Sequence, residues 1–464
     1  MPERTTVLVT GAGVDKTPGI DFPLAADLLP AINGYLTRTD EGKAVDALLH
    51  NKISGLRFRF DRFINNAITD IAQQEPEQLR ETIQRVQRVV DELPDDDENR
   101  IPKKQGELIV RLFNQLQQIA TANRIDDETR QLIEDVFGDR SSEFDLDDHV
   151  VDIRTLSVSD TFKSILRHTL RQSLNSDSNR IAHALGADLL DIEKLLIDKF
   201  LGFYNNRLPD IKNYVYISWC FWAFLMHRDK EVRNSTPSLP FYEGIPQNWK
   251  GITLNYTSFL ESRLQAMNTV YFHGGLSTYV RMDNRQLLTF DLYQNKSPQE
   301  LLESHICDNW HFDENDPAKS RCLIPSFVPP LRLKPILSKE YIDLWYCAGQ
   351  WLSQAGHVVL VGYSLNTADE HFNDLLRALN GKRITVIGPD VLGDSYMARV
   401  ASVWGVSAEQ FTRTQLQSKP TARLREITLI QSYLKFRACS NLLLARYCPA
   451  VTAFRFAASQ WQRT

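Results

Sequence analysis

The chain has 464 residues, 43% hydrophobic and 24% charged, with a formal net charge of −5. That length allows two or three domains with sizeable cores, and the mildly acidic balance gives no global attraction to nucleic acid or to an anionic membrane. The six cysteines (Cys220, Cys307, Cys322, Cys347, Cys439 and Cys448) are scattered with no C-x-x-C pair, which argues against a zinc ribbon and a disulfide framework.

The first element is the apolar run TTVLVT at 5–10, a buried strand that ends in Gly11-Ala12-Gly13. Glycines after a strand let the backbone turn sharply and approach a phosphate. The dinucleotide pattern G-x-G-x-x-G is incomplete, because Val14, Asp15 and Lys16 follow and the next glycine is Gly19. A plain strand-to-helix turn fits the glycines as well. The Gly-Ile-Asp-Phe element at 19–22 suggests a loop that returns over a nucleotide.

From about 41 to 245 the pattern is helical. Leu79, Ile83, Val86, Val90 and Leu93 recur at spacings of 4, 3, 4 and 3, one face of a helix opened by Pro76 and closed by Pro94. A second helix carries Leu108, Leu112, Leu116 and Ile119, after the acidic loop DELPDDDENR. Residues 160–207 are again helix-like. The apolar stretch Tyr214–Met226 is shorter than the roughly 20 residues a bilayer demands and reads as a buried helix or strand.

Near 250 the texture changes. GITLNYTSFLESRL reads as strand, turn and helix, and TVYFHGG at 269–275 as a strand ending in a turn. CLIPSFVPPLRLK, with Pro325, Pro329 and Pro330, reads as an irregular covering loop. GHVVLVGYSL is a strand without polar alternation, as expected of one covered on both faces. It leads to a helix with Phe372, Leu375, Leu376 and Leu379 on one side, stopped at Asn380-Gly381, and then to the strand of ITVIGPD. His305 and His311 flank CDNWHFDEND without regular ligand spacing, so no metal site is expected there. The segment 411–464 holds nine Lys/Arg against one acid, Glu426, and reads as a basic helical extension, either packed or open to an acidic partner or nucleic acid.

Together these elements predict an α/β protein. A Rossmann-like parallel sheet comes from residues 1–40 and 246–395, with a helical insertion at 41–245 and a basic C-terminal extension at 396–464. No secretory leader is read before the first strand, so the cytoplasm is the expected compartment.

Five motifs, in order, carry a resemblance to the sirtuins over roughly 1–35 and 250–395. GAG followed by GIDF resembles the sirtuin opening, G-A-G and then G-I-P-D-F. TLNYT at 253–257 resembles T-Q-N-x-D, with Asn255 as the family's asparagine. YFHGG at 271–275 resembles the His-Gly element, with His273 as the catalytic histidine. LVGYSL at 360–365 resembles the glycine-serine turn, and ITVIGPD the last nucleotide-contacting strand. Thr257 stands where the family has the aspartate that meets the nicotinamide amide. The four-cysteine zinc module of the deacylases has no counterpart.

With its large helical block, the chain resembles the sirtuin-like effectors of bacterial anti-phage defence, which hydrolyse NAD. The resemblance implies NAD as substrate, no zinc, and control by homo-oligomerisation or by a defence-system partner such as a sensor, an ATPase or a phage protein. Asn255 would hydrogen-bond a ribose hydroxyl or a water, and His273 would remove a proton. Gly11, Ala12 and Gly13 would face the pyrophosphate. Asp21, beside Phe22, would stabilise positive charge or order water. Gly362 and Ser364 would contact phosphate or ribose, and Asp390 the adenosine ribose. Two other readings stay open: an NAD-dependent protein deacylase or ADP-ribosyltransferase, and a non-catalytic NAD or ADP-ribose sensor acting as an assembly subunit, for which Thr257 speaks.

Overall fold

The computed structural model describes residues 5–17, 19–97, 99–117, 125–137, 144–146, 149–151, 157–173, 179–190, 207–236, 239–289, 296–307, 310–327, 339–379, 382–388, 391, 393–405 and 426–431. By contacts the chain divides into two compact units. One comprises Met1–Leu24, Ala44–Ser54 and Lys199–Thr464; the other comprises Ala25–Lys43 and Gly55–Asp198.

The first unit is built on a six-stranded parallel sheet. Its strands are β1 (Thr6–Thr10), β4 (Lys250–Thr253), β5 (Thr269–Tyr271), β9 (His357–Val361), β10 (Arg383–Gly388) and β11 (Glu426–Gln431). They lie in the order β11-β10-β9-β1-β4-β5. Taken in sequence along the chain, that is the doubly wound order 3-2-1-4-5-6 of a Rossmann-like α/β fold, with the reversal between β1 and β9. After one half-buried residue each, β1, β4, β9 and β10 are buried throughout, as parallel strands covered on both faces must be. Val7, Val9, Ile252, Val358, Leu360, Ile384 and Val386 pack with Phe372 and Leu376 of the helix Glu370–Arg377 in one core.

A smaller antiparallel sheet stands beside it, with β6 (Gly274–Arg281) between β7 (Leu287–Thr289) and β8 (Leu323–Phe327). Thus 323–327, expected to be irregular, is a strand. Pro325 is tolerated because β8 is an edge of this sheet, where a missing N–H breaks no inner ladder. The 28-residue helix Leu208–Ser235 is buried at every position from Tyr214 to Met226. Trp219 and Trp222 donate their ring N–H groups to the carbonyls of Leu323 and Leu276 at 3.0 and 2.9 Å, which ties the helix to the small sheet. Among the described residues, no helix is long and apolar enough to cross a membrane.

The second unit is helical. Its helices include Phe60–Ala72, Pro76–Glu92, Arg100–Gln117, Val158–Ser173 and Arg180–Leu189. Leu79, Ile83, Val86, Val90 and Leu93 are all buried, as their spacing predicts. A short antiparallel pair, β2 (Phe144–Leu146) and β3 (His149–Val151), interrupts the helical run. Within 411–464, expected to be helical, the described residues 426–431 instead form β11, parallel to β10. The sequence EITLIQ is rich in β-branched residues that suit a strand. The remainder of that segment lies outside the described residues, as do Asp390 and the Asn380-Gly381 stop.

Candidate functional site

In doubly wound sheets ligands bind beyond the carboxyl ends of the strands, where the order reverses. Here that place is the pair of turns leaving β1 and β9. Gly11 N–H donates to Val361 O at 3.0 Å, and Gly13 N–H to Gly362 O at 2.9 Å. The two turns leave no room for side chains. A Cβ on Gly11 would come within 2.7 Å of Gly362 O, and one on Gly362 within 2.4 Å of the Val14 nitrogen. Gly362 also has φ +60°, a conformation that favours glycine. So Gly11, Gly13 and Gly362 are needed first of all for one backbone to lie on the other.

Asn255 follows β4 and is 7% exposed. Its backbone N–H donates to Thr253 Oγ1 at 3.0 Å, which fixes the turn, and its Nδ2 donates to Gly11 O at 3.1 Å. The first-strand turn and the second-strand turn are thereby joined through this one amide.

His273 follows β5 and is 5% exposed. Its Nδ1 lies 3.0 Å from Leu254 O. A carbonyl can only accept, so Nδ1 carries a proton in this contact. Nε2 lies 3.2 Å from Asp369 Oδ1. The contact is off the hydrogen-bonding direction, and Nε2 has no hydrogen-bond partner among the described residues. Gly274 follows with φ +83°, and a Cβ there would lie 1.9 Å from Ser326 O. The Gly after the histidine is therefore set by the close approach of β8.

The least expected feature is Asp15, in the turn after the glycines and only 3% exposed. Thr257 Oγ1 donates to its Oδ2 at 2.7 Å, and Tyr242 donates its hydroxyl to Oδ1. Burial pushes the carboxyl up to about 7, against the hydrogen bonds from Tyr242, Thr257 and Asn255, with the Asp229 carboxylate adding to the rise. Asp229 is itself buried and held by Ser258 N–H at 2.9 Å and by Arg233 Nε at 2.9 Å. Among the described residues, the groups that act most on Asp15 include no cation.

The remaining candidates are placed as follows. Phe22 is buried, donates its N–H to Asp15 O at 2.8 Å and meets Phe259 edge-on at 6.4 Å. Thr257 is buried. Ala12, Asp21 and Ser364 are exposed, and Asp21, at φ +47°, turns its carboxylate to the Gly19 N–H at 3.0 Å. Asn255, Thr257, Gly11, Gly13, Gly362 and His273 thus gather at neighbouring strand ends. Asp15, Tyr242 and Asp369 escaped the sequence reading. Asp15 was visible as an acid beside a buried turn, but Asp369 looks like an ordinary helix-start residue and meets His273 only through the fold. Among the described residues no cluster of His, Cys, Asp or Glu could hold a metal ion.

No protein-family model matches the chain, and the comparison with curated proteins gives no match. Among solved structures, the chain is similar to a Sir2 homologue in complex with NAD: 14% identity, 55% of this chain and 78% of that chain, TM-score 0.31. It is also similar to a mutant Sir2 homologue in complex with ADP-ribose: 16% identity, 44% of this chain and 76% of that chain, TM-score 0.26. With overlap at that level, the architecture rests on the strand order of the sheet.

Proposed function

We propose that this chain is a sirtuin-like NAD glycohydrolase that releases nicotinamide and ADP-ribose. The observation that carries the reading is the pair Asn255 and His273. Both are buried at the ends of adjacent parallel strands, both are locked to backbone carbonyls, and Asn255 is tied to Gly11 of the turn-on-turn packing of Gly11, Gly13 and Gly362. The five ordered sirtuin-like motifs in the sequence point the same way.

The chemistry suits such a pair. Nicotinamide leaves as a neutral group from a cationic one, through a transition state close to an oxocarbenium ion. The protein has to hold the ribose, shield the cation and position the attacking oxygen. Asn255 has an amide oxygen for a ribose hydroxyl or a water while its Nδ2 is engaged with Gly11. His273 has Nε2 for the proton that must be removed, and Asp369 stabilises the ring once it is charged. Gly362, Ser364 and the Gly11–Gly13 turn would border the phosphates.

The wider role that fits is a regulated effector that depletes NAD in anti-phage defence, held off until oligomerisation or a partner protein switches it on. Incubating the purified chain with NAD and separating nicotinamide from ADP-ribose by chromatography tests the activity. Product from the parent and none from Asn255→Ala or His273→Ala supports the reading. Loss of an acyl group from an acetyl-peptide only when NAD is present would favour the deacylase instead. Tight NAD binding without turnover in any assembly state would favour a sensor.

A further inference from the structure

We propose that Asp15 is a positioning residue for the proposed NAD cleavage, acting through Thr257 and Asn255 and standing in for the carboxylate that is absent at position 257. The inference rests on the glycohydrolase reading.

A carboxylate at 257 would be an acceptor only. Thr257 by itself can both donate and accept. Its hydroxyl proton is committed to Asp15 Oδ2 at 2.7 Å, so towards anything else the Thr257 oxygen can only accept. The pair Asp15–Thr257 therefore offers the same polarity as the missing carboxylate, with the charge moved one residue inward and onto the first-strand turn. The same turn receives Asn255 Nδ2 on Gly11 O. One buried carboxyl thus ties together the turn, the Asn255–Thr257 loop and, through Tyr242, the short helix Pro240–Glu243.

A buried carboxyl with no cation is costly to maintain. Asp229, one helix away, shows the ordinary solution, with Arg233 and Ser258 on it. Among the described residues, Asp15 takes hydroxyl and amide donors. The groups facing it are Tyr242 from the helix Pro240–Glu243, Thr257 and Asn255 from the loop after β4, and Asp229, already paired with Arg233, from the helix Leu208–Ser235. When ionised, Asp15 accepts from both Tyr242 and Thr257. When protonated, one oxygen becomes a donor and the hydroxyl on that oxygen has to turn; protonation at Oδ2 frees the Thr257 proton and spoils the acceptor.

The test compares wild type, Asp15→Asn, Asp15→Ser, Thr257→Asp and the exchanged pair Asp15→Ser/Thr257→Asp, with NAD cleavage measured from pH 5 to 9 and melting recorded for each. In wild type, kcat rises with pH through about 7. In Asp15→Asn the share of that rise due to Asp15 disappears, the limb of the proton-accepting His273 remaining, and kcat falls about 10- to 100-fold, KM changing little. The exchanged pair recovers to within about tenfold of wild type while each single variant stays low. Wild-type kcat with an unchanged pH profile in Asp15→Asn overturns the inference. So does an exchanged pair no better than its singles, or a loss accounted for by unfolding at the assay temperature. Failure of wild type to cleave or bind NAD overturns the glycohydrolase reading, and this inference with it. Cleavage by wild type and Asp15→Asn alike overturns this inference alone.

Discussion

His273 Nε2 lies 3.2 Å from Asp369 Oδ1, although the two residues are 96 positions apart in the chain. The carboxylate arrives at the start of the helix Glu370–Arg377, carried there by the crossover after β9. Because the Nδ1 proton is held on Leu254 O, the ring cannot turn over to present its other nitrogen. Under the proposed function, the Asp369 carboxylate would face the positive charge that His273 takes on when it removes a proton. Asp369→Asn keeps the shape and removes the charge. Under the proposed function, kcat should fall by about 10- to 100-fold with NAD affinity held, against about 100- to 10,000-fold for His273→Ala. Steady-state kinetics with calorimetric NAD binding checks this. Equal kcat in Asp369→Asn and wild type would remove Asp369 from the mechanism.

Asp15 makes a prediction about stability that does not depend on activity. Its folded-state value is raised from the ordinary 3.8 to about 7, with burial the largest cause. The folded chain therefore binds this proton more tightly than the unfolded chain. The contribution is fully present below pH 4, declines as pH rises, and is gone above about 7. A shift of that size corresponds to on the order of 4 kcal/mol across the window. Urea denaturation at pH 4.5 and pH 8 should show a fall in wild type that is smaller by about that amount in Asp15→Asn. Identical pH dependence in the two proteins would mean that the carboxyl is ionised throughout.

Much of this architecture was legible because strands covered on both faces leave an unmistakable trace. TTVLVT and GHVVLV are apolar without alternation, and each ends at a glycine turn. The helix over Pro76–Glu92 was equally plain, since its buried side repeats at helical spacing. Tyr214–Met226 was not resolved between helix and strand, because a segment buried all round has no polar side to report its period. Pro325 hid an edge strand, as proline reads as a loop unless the sheet around it is known. At the site, Asn255 and His273 were readable from their motifs, but their partners were not. Local sequence says nothing of a hydrogen bond from Thr257 to Asp15, 242 positions away, or of the hydroxyl that Tyr242 brings from another element.

Arg233 is the cation that makes the second buried carboxylate tolerable. Asp229 has 1% side-chain exposure and receives Arg233 Nε at 2.9 Å, Ser258 N–H at 2.9 Å and the Ser258 hydroxyl. Truncation to Arg233→Ala leaves that charge with the serine donors alone. The expected cost is about 3 kcal/mol or more, because an unpaired buried charge is penalised beyond the value of the lost pair. Arg233→Ala/Asp229→Asn should recover part of it, since the amide needs no counter-charge. A double-mutant cycle by urea denaturation measures the coupling. Additive losses would show that Ser258 alone suffices to hold Asp229.

Gly362 and Gly405 have nearly the same backbone, φ +60° and +64°, in opposite surroundings. Gly405 ends the helix Asp394–Trp404 and has nothing within 4 Å of where a Cβ would stand. Gly405→Ala therefore bears only the left-handed conformation, about 1 to 2 kcal/mol. A Cβ on Gly362 would stand 2.4 Å from the Val14 nitrogen and 2.7 Å from the Gly13 carbonyl carbon, and backbone in the central strand's turn cannot give way as a side chain could. Gly362→Ala should cost about 2 kcal/mol more than Gly405→Ala, since overpacking is added to the same backbone strain. Because the displaced atoms belong to the turn that also accepts Asn255 on Gly11, under the proposed function it should lower NAD affinity as well, whereas Gly405→Ala should leave binding alone. Melting and calorimetry on the two variants separate the terms. Equal losses of stability would mean that the β1 and β9 turns can part without penalty, and the close packing of Gly11, Gly13 and Gly362 would then not be what fixes the site.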